Sequence, residues 1–274
     1  MVVASARPLL KGLLVLTIFA LLASCGLYPM GPIPGDNRPH PGVNRARNLP
    51  IQGLDISRYQ GVVDFEAARR GGTHFVFIKA TEGDDYVDPA FAENWRRARA
   101  AGMPRAAYHF MYWCSTASDQ AAWFERNVPA DPDALPPILD LEWNNHSRTC
   151  TTRPSPAEAL EKVRVMLDLM ERYTGKLPII YTDINFDRDV LAGQHLPNTF
   201  WLRSVAAEPH ERYVERGFTF WQWTQTGTMQ GVRGEVDRNA FFGNQNDWTN
   251  FLLTGCDPRA IAILGPQGRC QIMK

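Results

Sequence analysis

Two side chains able to exchange a proton stand in one short triplet, Asp140-Leu141-Glu142, at the end of the apolar run Pro136-Pro137-Ile138-Leu139. A buried strand that carries two acids requires a chemical reason, because carboxylates are costly to remove from water. Residues two apart on a strand share a face, so both carboxyl groups project into one space while Leu141 turns to the opposite layer. Like charges held close cannot both ionise with ease. One pKa rises, which yields a proton donor beside an ionised partner. That pairing is what cleavage of a glycosidic bond requires.

The elements that must position these acids alternate between strand-like and helix-like patterns, which predicts parallel β/α construction. Strands are expected at 52–56, 74–80, 105–111, 137–143, 177–182, 199–203, 218–224 and 234–237, with helices at 65–70, 89–101 and 118–127. The best-marked helix follows the acid triplet. Ser155 caps it, Pro156 fills its first turn, Glu158 completes a Ser-X-X-Glu capping box and Gly175 ends it. Its apolar stripe is Leu160, Val163, Leu167 and Met170. Eight strands, the last three without well-formed helices between them, predict an α/β fold: an irregular (β/α) barrel of about five β/α units and then three strands with few helices. Such barrels gather reactive groups at the C-terminal ends of their strands. Asp55 ends the first expected strand, Asp140 and Glu142 the fourth, and Asp237 the last.

Composition bounds the rest. Of 274 residues, 45% are apolar and 21% charged, enough for a sizeable core, and 29 basic residues balance 29 acidic ones. Bulk charge therefore gives no attraction to nucleic acid, and none is expected as a partner. The first 24 residues read as an export signal, with Arg7 and Lys11 ahead of the apolar run Gly12 to Ala23. Leu22-Ala23-Ser24-Cys25 resembles a bacterial lipobox, which makes Cys25 the expected site of lipidation and the membrane a partner through that anchor. Gly26 lacks the acidic character associated with inner-membrane retention, so an exported lipoprotein of the outer membrane, facing the periplasm, is expected. Residues 25–50 hold six prolines and four glycines and read as a tether. A catalytic domain at 51–254 and a tail at 255–274 would complete the chain. The four remaining cysteines suggest two disulfides, with Cys114–Cys150 and Cys256–Cys270 preferred among three connectivities. No spacing suits a zinc site, so neither metal nor cofactor is expected.

At this point the residues match a family. Gly53-Leu54-Asp55-Ile56-Ser57 with Gln60-Gly61, Phe77-Ile78-Lys79-Ala80-Thr81-Glu82-Gly83 with Asp88-Pro89 and Asn94, Ala107-Tyr108-His109-Phe110, and Leu139-Asp140-Leu141-Glu142 resemble the family 25 glycoside hydrolases. Pro178-Ile179-Ile180-Tyr181-Thr182, Trp221-Gln222-Trp223 and Val236-Asp237-Arg238-Asn239 extend the likeness over about residues 52–243, in the family's order and spacing.

The resemblance implies a lysozyme of the N-acetylmuramidase type that hydrolyses the β-1,4 bond between N-acetylmuramic acid and N-acetylglucosamine, with peptidoglycan glycan strands as partner and a monomer as the working unit. It implies Glu142 as general acid, Asp140 as charge stabiliser or as positioner of the substrate's 2-acetamido group, and Asp55 and Asp237 completing the acidic cleft. Sugars present apolar faces to aromatic rings, so Tyr108, Tyr181 and Trp223 are expected to line the groove, from a set that also holds Tyr59, Trp143, Trp201 and Trp221. Glu82 is expected to order the loop after the second strand or to contact an outer sugar. His109 is expected to pack or hydrogen-bond beneath the site, and Asp64 and Asp88 to cap helices. The competing reading is a peptidoglycan-binding lipoprotein with the same barrel and no turnover.

Overall fold

The computed structural model describes residues 40–256, His146 excepted. Eight strands close into a barrel: β1 (Gln52–Ile56), β2 (Thr73–Glu82), β4 (Arg105–Phe110), β5 (Ile138–Leu141), β6 (Ile179–Thr182), β7 (Phe200–Arg203), β8 (Phe220–Gly227) and β9 (Val236–Phe241). Neighbours from β1 through β2 and β4 to β8 run parallel, whereas β9 is antiparallel to both β8 and β1 and closes the ring. A two-residue strand, β3 (Tyr86–Val87), which the sequence reading lacks, folds back on the end of β2.

Helices α1 (Phe65–Arg70), α2 (Phe91–Ala100), α3 (Ala117–Asn127) and α4 (Pro156–Thr174) follow β1, β3, β4 and β5. Between β6 and β9 only short helical turns remain, as the sequence predicts. The α4 cap forms as expected: Ser155 Oγ accepts from the Glu158 N–H at 3.3 Å, and Glu158 Oε2 accepts from the Ser155 N–H at 2.9 Å. Gly175 ends the helix in the left-handed conformation. The buried stripe differs by one turn: Ala159 and Met166 join Val163, Leu167 and Met170, while Leu160 is only partly covered.

Strand alternation divides the apolar residues into two layers. Leu54, Val76, Ile78, Leu139, Leu141 and Ile180 point outward to the helices. Phe75, Phe77, Ile138, Ile179, Trp201, Phe220 and Phe241 fill the barrel, whose floor is a helix, α5 (Gln245–Thr254), that inserts Trp248 and Phe251 beneath them. Gly53 belongs to this interior, where a Cβ would stand 2.3 Å from ring carbons of Phe75. The Phe75 ring cannot yield, being held 5.0 Å from Phe77, 5.2 Å from Phe220 and 5.4 Å from Trp248. Gly53→Ala is therefore expected to cost about 1–3 kcal/mol by overpacking. A urea titration should show a lower midpoint at unchanged slope.

The segment read as tether ends earlier than Pro50. Pro41–Val43 and Asn44–Arg47 form helical turns, and Val43 and Ala46 are fully buried against Trp221, Trp223 and Ala240 on the outer face of β8 and β9. Two small apolar side chains meeting two indoles outweigh the extended bias of the prolines. The expected signal, the lipobox with Cys25 and the tether up to Pro39 lie outside the described residues.

Candidate active site

Each acid reaches the top of the barrel because its strand parity points it inward. Asp55 and Asp237 are direct partners across the antiparallel pair β1–β9. Asp140 stands opposite Tyr181 on β6, and Glu142 follows two residues later on the same face. Four carboxyl groups from three stretches of chain thus face one another. A cavity of about 380 Å³ opens beside Asp55 and Asp237, with Tyr59, Gln60, Tyr108 and Glu235 also in its wall.

A hydrogen-bonded arc fixes the deeper acids. Tyr181 donates its hydroxyl to Gln222 Oε1 at 2.8 Å, and Gln222 Nε2 donates to Asp55 Oδ1 at 3.0 Å. Asn239 Nδ2 donates to the same oxygen at 2.8 Å, while Asn239 Oδ1 accepts from Trp201 Nε1 at 2.7 Å. Gln222 Nε2 also reaches Asp237 Oδ2 at 3.4 Å. Burial raises the Asp55 carboxyl above its usual range, and the two amide donors pull it part of the way back. Asp237 is driven well above that range, by burial first and then by the charge of Asp55, to which it is hydrogen-bonded. The two carboxyls are thus coupled, and Asp237 is the more strongly raised of the pair.

Asp140 is different. It is buried and its Oδ1 has no hydrogen-bond partner. Burial, then the nearby Glu142, pushes its carboxyl well above the ordinary value, with Lys79 opposing. Glu142 is raised to about 7, by desolvation first and then by the negative field of Asp183, while Arg203 and the Tyr181 hydroxyl act in the other direction. Glu142, raised to about 7, is thus a proton donor near neutrality beside a carboxyl, Asp55, that two amide donors hold in place, an arrangement suited to acid-assisted hydrolysis.

Residues 54–232 match glycosyl hydrolases family 25. The chain belongs to this family. It is 32% identical over 208 residues to lysozyme M1 of Streptomyces globisporus, covering 71% of this chain and 68% of that protein. An N,O-diacetylmuramidase of Arthroderma benhamiae is 35% identical over 215 residues, covering 75% and 88%. A family 25 glycosyl hydrolase structure from Bacillus anthracis superposes with a TM-score of 0.70 at 32% identity, covering 79% of this chain and 98% of that one. This protein is accordingly a glycoside hydrolase with an irregular α/β barrel.

Within this family 25 barrel most of the expected side chains lie at the site. Tyr108 lines the cavity, and Tyr181 stands between Gln222 and Glu142. Trp223 does not. It packs outward against the segment at 41–49, donating to Gln52 Oε1 at 3.3 Å, with Arg238 over its ring. Alternation from the inward Phe220 explains this: Gln222 takes the inward place, and both flanking tryptophans face out. Glu82 is half-buried, paired with Lys79 and bonded by the Tyr112 hydroxyl, which order the loop after β2. His109 is fully buried and lowered to about 4 by desolvation. Its Nε2–H donates to Gln120 Oε1 at 3.1 Å and its Nδ1 accepts from Thr81 Oγ1 at 2.8 Å, so it braces β2 and α3 as a neutral strut. Asp64 caps α1 through the Ala67 N–H, and Asp88 accepts from the Ala90 N–H at the start of α2.

Cys114 and Cys150 form the expected disulfide, which ties the loop after β5 to the loop after β4. Asn144 adds to this tie by accepting from the Trp113 N–H and donating to the Met111 carbonyl. Cys256 is disulfide-bonded, and Cys270 lies outside the described residues. Four polar residues of the site lie outside the expected set: Gln222, Asn239, Asp183 and Arg203. Parity with Phe220, Asp237 and Trp201 is the signal that points Gln222, Asn239 and Arg203 inward. Asp183 looks like a helix cap in sequence, and it does accept from the Phe186 N–H at 2.7 Å while its charge acts on Glu142.

Proposed function

We propose that this family 25 hydrolase is a muramidase, cutting the β-1,4 bond between N-acetylmuramic acid and N-acetylglucosamine in peptidoglycan. The names of its relatives, a lysozyme and an N,O-diacetylmuramidase, support the substrate class. The observation that carries the reaction class is the convergence of Glu142 with carboxyl groups from β1, β5 and β9 at one end of the barrel, where burial raises it to about 7.

In this reading Glu142 gives its proton to the leaving glycosidic oxygen. The Asp140 carboxyl, buried beside Glu142 and without a partner at Oδ1, is the acceptor for the substrate's 2-acetamido N–H, whose arrival would favour the ionised form and set the acetamido oxygen behind the anomeric carbon. Asp55, held by two amides, is the carboxyl placed to stabilise the positive charge of an oxocarbenium-like transition state, and Asp237, the more strongly raised of the two, keeps its proton beside it. Tyr108 offers a ring to a sugar face. The enzyme would work as a monomer at the end of a tether from lipidated Cys25, facing the periplasm from the outer membrane, where confinement beside the wall raises its effective concentration.

Product analysis tests the bond that is cut. Peptidoglycan digested with the enzyme, reduced with borohydride and examined by mass spectrometry should carry new muramitol ends; glucosaminitol ends would contradict the proposal. A proton donor at about 7 also fixes the sign of the pH response. Glu142 carries its proton below that pH and loses it above, so kcat/KM should fall about tenfold per pH unit on the alkaline side.

A further inference from the structure

A second cavity, of about 160 Å³, adjoins the cleft and shares Ser57 and Tyr59 with it. Its charged groups are Arg58, Lys79, Glu82 and Asp88. Both acids are already engaged. Asp88 accepts from the Arg58 and Ala90 N–H groups at 2.9 Å each, and Glu82 is held through one oxygen by Lys79 and through the other by Tyr112.

The Arg58 guanidinium is in a different state. It lies over the rings of Tyr59 and Tyr86, at 5.0 and 5.7 Å, and donates to their hydroxyls at 3.3 and 3.1 Å. Among the described residues no carboxylate comes within ion-pair distance of it. Two tyrosines thus present a planar cation at the mouth of a small polar cavity, with Tyr59 79% exposed at the shared lip. A guanidinium fixed in this way, with donors to spare, is suited to a carboxylate.

We propose that this cavity binds a carboxylate of the peptide stem borne by the glycan strand, so that the enzyme prefers stem-bearing peptidoglycan to bare glycan. The inference rests on the muramidase reading, which places a glycan in the adjoining cleft. Muramic acid carries its stem through the lactyl ether, and the stem's free carboxylates lie to the side of the sugar chain. N-acetylated sugar rings are themselves uncharged, so a guanidinium without a carboxylate partner beside the cleft finds its anion on the stem that branches from the glycan. Arg58 is the specificity residue, and Tyr86 and Tyr59 orient it.

The test compares two soluble substrates: uncross-linked glycan chains carrying stems, and the same chains stripped by an amidase, which leaves a free lactyl carboxylate. Wild-type enzyme should show a kcat/KM about 3- to 10-fold higher on stem-bearing chains, the range expected for one charge-assisted contact at a partly exposed site. The difference should lie in KM and shrink at high salt. In Arg58→Ala the ratio should approach one, and Arg58→Lys should recover part of it. Arg58 is a surface side chain, and circular dichroism checks that each variant is folded. A wild-type ratio of one, or a ratio unchanged in Arg58→Ala, overturns the proposal. A ratio below one assigns the cavity to the lactyl carboxylate and also overturns it. Cleavage of neither substrate by wild-type enzyme counts against the muramidase reading itself.

Discussion

Glu142→Gln is expected to lower kcat on peptidoglycan by roughly 10²–10⁴-fold, the contribution a positioned general acid makes. Glutamine keeps the size and polarity of the side chain but has no proton to give at any working pH. KM should change little, because the lost interaction belongs to the transition state. Two features make the substitution a clean probe. Glu142 lies just beyond the end of β5, so its exchange leaves the ladder to β6 in place. The Tyr181–Gln222–Asp55 arc does not pass through it. Turbidity clearing of purified sacculi measures the loss, and an undiminished rate would remove Glu142 from the role given to it here.

Asp140→Asn is expected to lose activity and gain stability together. The loss, roughly 10²–10³-fold in kcat, follows from replacing a carboxyl that stands beside Glu142 and whose Oδ1 is buried without a partner. The gain follows from linkage. Burial and Glu142 raise the Asp140 pKa in the folded state, so the native chain binds a proton that the unfolded chain has released. Stability therefore falls as pH rises above the ordinary carboxyl range near 4. Asparagine has no such dependence. At pH 8 the variant should exceed the wild type by on the order of 1–3 kcal/mol, the scale of an unpaired buried polar group, and the difference should fade toward pH 4. Urea unfolding at the two pH values measures it. A variant less stable than wild type at pH 8 would show that Asp140 has a partner in the folded protein.

Sequence periodicity was sufficient wherever a local rule governed the outcome. The Ser155–Glu158 box and Gly175 bounded α4 to within one residue, and the apolar flanks of Asp140 placed β5 inside the barrel. It failed where distant chain decided. The hairpin of β8 and β9 extends to Gly227 and Phe241, beyond the expected ends, because β9 bonds to β8 on one side and β1 on the other. Pro41–Arg47 folds because two tryptophans from β8 wait on the outer face of the barrel, a partner that no local window contains. The error at Trp223 has another origin. Aromatic identity was weighed over strand parity, which assigns the inward position to Gln222. At the site, the four acids were legible because strand ends in such barrels converge. Asp183 was not, since its capping role hides the field it exerts on Glu142.

As general acid, Glu142 must retain its proton close to neutral pH, and burial beside Asp183 is what raises it there. Carbon-13 NMR of carboxyl-labelled enzyme, with the Glu142 resonance assigned by its disappearance in Glu142→Gln, reads this directly across a pH titration. A midpoint near 7 is expected, and a midpoint in the ordinary glutamate range near 4.5 would take the proton-donor role from Glu142.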